Sequence, residues 1–110
     1  MDPAQSVRYH LFVQIADDCL DIGDWVVLVV TGASLPRVGD TLGFAGAEPI
    51  SMEVVRVDHL MYDDTCEPPH RATHVLANAL PYCWPTVRKL HDELELKRWA
   101  SRYTMLELDC

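Results

Sequence analysis

Cys66, His70, His74 and Cys83 are the residues whose types and spacing could do chemistry. Three residues separate Cys66 from His70 and His70 from His74, and eight separate His74 from Cys83. Two thiolates and two neutral imidazoles make a ligand set for tetrahedral zinc, which holds them at about 2.0–2.3 Å. The spacing suits neither usual carrier of such ligands. On a helix, residues four apart share a face, but Pro68 and Pro69 break any helix here. Zinc knuckles place ligand pairs on tight turns, and the chain has no Cys-x-x-Cys. The favoured reading of this stretch is therefore the loop of a long hairpin that holds soft side chains, with no cofactor. A metal-binding protein or small metal-dependent enzyme built on these four residues is the alternative.

The flanking strands suggest a second arrangement. If residues 52–62 and 71–79 form a hairpin, His59 is expected opposite His74, Val57 opposite Leu76 and Met61 opposite Ala72. A slip of one residue would set Val57 opposite Val75 instead and move His74 to the other face. Two adjacent histidines can bind a metal, sense pH or simply pack.

Other combinations point away from catalysis. Asp17-Asp18 and Asp63-Asp64 are paired acids, but neighbouring loop residues point apart and read as solvated acids. There is no Gly-x-Ser-x-Gly and no phosphate-cradling glycine loop. No spacing couples a nucleophile to a base. His10 on the first strand and His91 on the helix read as surface histidines, and Trp84 and Trp99 as packing residues.

The charge carries more information. Nine Lys and Arg stand against seventeen Asp and Glu, a net charge of −8, so direct nucleic-acid binding in a basic groove is not expected. Asp17, Asp18, Asp21 and Asp24 cluster in one loop; Asp58, Asp63, Asp64 and Glu67 surround another. Arg88, Lys89, Lys97, Arg98 and Arg102 gather in the last third. Acidic loops on a rigid frame suit a basic surface on another protein. The expected partner-binding residues are thus Asp17, Asp18, Asp21, Asp24, Asp63, Asp64 and Glu67. The expected function is a small non-enzymatic binding module: an inhibitor, an immunity-type protein or an assembly subunit, with homo-oligomers allowed.

The frame that positions these loops follows from periodicity. Val7, Tyr9, Leu11, Val13 and Ile15 alternate with Arg8, His10 and Gln14, with Phe12 the one apolar exception, which predicts a half-buried strand over 7–15. Trp25 to Thr31 is apolar on both faces, as in a central strand. Pro36 and Gly39-Asp40 punctuate the chain before a short strand over 41–44. A long strand is expected over 52–61, with Val55, Val57 and Met61 on one face, and another over 71–79. Pro85 opens a helix over about 85–98. That helix carries Val87, Leu90 and Leu94 on one side and the charge pairs Arg88–Asp92, Lys89–Glu93 and Glu93–Lys97. A last strand closes the chain over 103–109. The expected core is Leu11, Val13, Val27, Val29, Val55, Val57 and Leu90.

With no linker or repeat, residues 1–110 are expected to form a single domain. Its class is α+β, mainly β: about six strands in a partly open antiparallel barrel or curled sheet, with one C-terminal helix packed on it. The longest apolar run, Trp25–Val30, is far short of the ~20 residues of a membrane span. The opening MDPAQSVRYH lacks the apolar segment of a signal peptide. A cytoplasmic location is expected, or host cytoplasm for a viral chain, with the cysteines reduced.

Overall fold

Alternation along Val7–Gln14 builds the first strand, β1, and sends Tyr9, Leu11 and Val13 into the core. The computed structural model describes residues 6–15, 25–65 and 71–108. Five more strands follow: β2 (Val26–Gly32), β3 (Thr41–Phe44), β4 (Ile50–Met61), β5 (Arg71–Ala79) and β6 (Leu106–Leu108). Between β5 and β6 lie a 3-10 turn at Pro81–Cys83 and two short helices, α1 (Trp84–Lys89) and α2 (Glu93–Ala100). The strands form one sheet in the order β3-β4-β5-β1-β2-β6, curled into a half-barrel.

The mainly-β, curled α+β architecture is the one expected, but the sheet is mixed rather than antiparallel. β1 and β5 run parallel, with His10 beside His74 and Leu11 beside Val75; every other neighbouring pair is antiparallel. The parallel pair joins two antiparallel groups, β3-β4-β5 and β1-β2-β6. A parallel neighbour needs a long crossover, and here it is provided by everything between residues 14 and 71.

One face of the sheet is the core face. Leu11, Val13, Leu28, Met52, Val54, Val75 and Ala77 are buried there, and both helices pack over them through Val87, Trp99 and Ala100. The indole of Trp99 is fully buried and donates to the Glu48 carbonyl at 2.9 Å. Phe44, Trp99 and Tyr103 stack edge-on or tilted with centroids 4.9–5.6 Å apart. Tyr103 also donates to the Ala45 carbonyl at 3.0 Å. This clamp approaches Gly46 closely: at its φ of 153° a Cβ would lie 3.2 Å from the Tyr103 hydroxyl, so the position suits glycine.

The expected single helix is two. Asp92 adopts an extended backbone and its carboxylate accepts from the N–H groups of Leu94 and Glu95. It acts as an N-cap, not as the ion partner of Arg88. Of the three expected charge pairs only Glu93–Lys97 forms, at 3.3 Å. Lys89 reaches Glu48 and Glu95 instead.

The core assignment needs correction on β4. A bulge between Val54 and Arg56 leaves Val55 without a partner on β5. Ile50, Met52 and Val54 are buried before it, and the core-facing set changes parity after it. Val55, expected inside, is 40% exposed. Val57 and Val27, also expected inside, are half-buried, while Leu11, Val13, Val29 and Leu90 are buried. Beyond the bulge the hairpin pairs one residue from its expected register. His74 lies opposite Asp58 rather than His59, Val57 opposite Val75, and Met61 opposite Arg71.

Candidate functional site

Strand alternation decides what the outer face can assemble. His10 and Phe12 on β1 alternate with the buried Tyr9, Leu11 and Val13, so they project away from the helices. On β5, His74 and Leu76 flank the buried Val75 and project the same way. The parallel register brings His10 level with His74, and the antiparallel register brings Asp58 level with it from the other side. Asp58, His74, His10 and Val29 thus form a row across four strands.

Aromatic rings surround this row. The His10 and His74 rings meet edge-on with centroids 5.4 Å apart. Phe12 tilts against His74 at 4.9 Å and stands perpendicular to Trp25 at 6.1 Å. These rings are half-buried, while Val29 beneath them is buried although it belongs to no part of the helix-covered core. Arg56 Nε donates to Asp58 at 2.9 Å and holds that carboxylate at the rim. Gln14 donates to Asn78 along the same face. At the far end of the β4–β5 hairpin, Arg8, His59, Leu60, Met61, Ala72 and Thr73 line an open cleft of about 410 Å³.

The residues singled out by spacing do not gather into one site. Cys66, Glu67 and His70 lie outside the described residues, as do Asp17, Asp18, Asp21 and Asp24. Cys83 is buried in the core, where its Sγ accepts from the Ser51 N–H at 3.2 Å. His74 projects from the opposite face, so the sheet separates these two members of the expected Cys/His set. Among the described residues, no three His, Cys, Asp or Glu side chains come together as a cation site. Asp63 and Asp64 are exposed in the turn after β4. Asp63 accepts from both the backbone and the hydroxyl of Thr65, which shapes that turn.

The strongest electrostatic perturbation is on the helix side. Glu48 receives Arg98 at 2.9 Å, Arg102 at 3.2 Å and Lys89 at 3.3 Å. Hydrogen bonds from Arg98, then Lys89, lower its pKa to about 2. The Arg98 hydrogen bond likewise lowers Glu95. The arrangement ties the β3–β4 turn to both helices. Its partners are all provided by the chain itself, which marks it as a structural clamp.

Sequence reasoning placed His10 on the polar face of β1 but missed its partner. The two histidines are 64 positions apart, on parallel strands that nothing local in the sequence pairs. What the outer face offers is ring faces, imidazole donors and acceptors, and an Arg–Asp pair at the edge, the side-chain chemistry of protein contacts. No helix among the described residues is long and apolar enough to cross a membrane. No protein-family model, no curated protein and no solved structure matches this chain.

Proposed function

We propose that this chain is a non-enzymatic binding module that acts by contact with another protein, as an inhibitor, an immunity-type protein or an assembly subunit. The observation that supports this reading best is the outer face. Phe12, Trp25, His10, His74 and Leu76 form a half-exposed aromatic and histidine patch on the side the helices leave open. Rigid aromatic side chains on a sheet are efficient anchors, because little side-chain entropy is lost when they are covered.

The acids suit a partner whose contact surface is basic. Asp63 and Asp64 are exposed, and the net charge of −8 provides a long-range field. In this reading the loop acids, Asp17, Asp18, Asp21, Asp24, Asp63, Asp64 and Glu67, steer the encounter, and the outer face anchors the complex.

Affinity capture from cells that make the protein, followed by kinetics with the captured partner, tests both halves. Phe12→Ala and Trp25→Ala should shorten the lifetime of the complex at least ~10-fold, since truncating a central aromatic anchor costs ~2 kcal/mol or more. Reversing Asp17, Asp18, Asp21 and Asp24 to Lys should slow association, and the difference should shrink as the Debye length falls from ~30 Å at 0.01 M salt to ~8 Å at 0.15 M. Glu93→Lys, on the exposed side of α2, is the control. A partner bound equally well by every variant would refute the reading.

A further inference from the structure

Strand β4 is longer than β3 can cover. β3 pairs with Ile50–Glu53, and the ladder closes where Val54 bonds through its N–H and C=O to Asp40 and Gly39. Beyond the bulge, residues 56–61 pair with β5 on one flank, and no described strand lies on the other.

The direction of the open groups follows from phase. Leu80 N–H donates to the Ser51 carbonyl, so Leu80 turns its backbone groups toward β4. Antiparallel strands alternate in this respect. β5 carries no bulge, so Leu76, His74 and Ala72 also turn toward β4. Their partners Arg56, Asp58 and Leu60 complete those bonds. Val57, His59 and Met61 therefore direct their N–H and C=O groups at the open flank.

Such an edge is a template for another strand unless it is blunted by charged side chains, proline, a bulge or a covering element; here the bulge lies before the open segment, and the charges of Arg56 and Asp58 are paired with each other at 2.9 Å. The segment from Arg56 to Tyr62 contains neither lysine nor proline. Met61 is 78% exposed and Tyr62 41%.

We propose that this flank of β4 pairs antiparallel with the same flank of a second copy, about a two-fold axis at His59. That register engages every outward group. A two-fold at Val57 would drive the second copy onto Val54, whose backbone groups are already taken by Asp40 and Gly39. A two-fold at Met61 would run off the end of the strand. With the axis at His59, Val57 of each copy faces Met61 of the other, so the most exposed apolar side chain of the edge is covered by a half-buried one. On the other side of the ribbon, Arg56, whose Nε is bonded to Asp58, faces Tyr62 of the second copy, with the exposed Asp64 just beyond. The Arg56 end of one edge thus lies against the Asp64 end of the other, twice. Such reciprocity is what an isologous interface requires, and it singles out a second copy over an unrelated strand.

Sedimentation velocity of the full chain, from micromolar to millimolar concentration, tests this. The wild type should form a reversible dimer. His59→Pro removes one outward N–H at an edge position where proline is tolerated. Met61→Lys puts a charge into the apolar contact. Each should weaken self-association at least ~10-fold while the melting curve stays cooperative, because main-chain bonds at the edge provide the affinity. Leu94→Lys, at a residue 77% exposed on α2, should leave the dimer intact. Amide exchange gives a second readout: Val57, His59 and Met61 should become protected as concentration rises, whereas Arg56, Asp58 and Leu60 are protected throughout. A wild type that stays monomeric over the whole range, or a dimer that survives both edge variants, overturns the proposal.

Discussion

The two faces of the sheet share a backbone but are held together differently. The inner face is covered by α1 and α2, and its contacts span the chain: Trp99 to Glu48, Tyr103 to Ala45, Glu48 to Lys89, Arg98 and Arg102. Among the described residues, contacts on the outer face include cross-strand ones: His10 with His74, Gln14 with Asn78, Arg8 with Glu107. The difference teaches where substitutions should be felt. Burial among the described residues is concentrated on the helix-covered side.

The largest contrast is available within one strand. Val54 is fully buried, and Val55 beside it is turned out by the bulge. Val54→Asp buries an unpaired charge at a cost of several kcal/mol, a large part of a total stability of ~5–15 kcal/mol. Val55→Asp should change stability by no more than ~1 kcal/mol. Urea unfolding followed by circular dichroism checks the pair. Equal midpoints for the two variants would remove the bulge from the fold and the contrast with it.

A smaller effect sharpens the comparison by acid titration. Glu48 has its folded pKa depressed to about 2, chiefly by the hydrogen bond from Arg98. A carboxylate depressed in the folded state adds stability above its unfolded pKa, and that stability is lost as pH falls through the folded value. The window therefore runs from the ordinary glutamate range down to about 2. The wild-type melting temperature should fall more steeply across that window than that of Glu48→Gln, with the two slopes alike at neutral pH. Parallel slopes for wild type and Glu48→Gln would show that the clamp does not hold the helices.

The smallest effect expected is none. Because His74 and Cys83 project from opposite faces, chelator should leave the melting temperature unmoved. A structural zinc contributes on the order of 10 kcal/mol, so its loss would be plain. One equivalent of zinc by elemental analysis, lost in Cys66→Ser, would contradict this.

How much of this was legible depends on whether the signal was local. Alternation announced β1, and apolarity on both sides announced β2, because those patterns lie in consecutive residues. β3 followed from Pro36 and Gly39-Asp40, whose turn the structure contains: Arg37 N–H donates to the Asp40 carboxylate at 2.9 Å. The phase of β4 was illegible, since Val54, Val55 and Val57 are chemically alike and only the partner strand decides which is skipped. The break between α1 and α2 was legible but misread. Asp92 followed three residues later by Glu95 is a helix-start pattern, yet it was spent as a charge pair. The His10–His74 contact had no local signature, because parallel pairing joins segments that the sequence keeps far apart.

That parallel pair also sets an order of events during synthesis. β1 is made before the other strands of the sheet but sits in its middle, between β2 and β5. With β2 alone it can make a hairpin, which is marginal in water. Its second neighbour does not exist until residues 71–79 have been made, and the helices that cover the inner face come later still. Until those segments are made, Leu11, Leu28 and Val30 have no roof, and the core cannot close strand by strand in the order in which the strands are made.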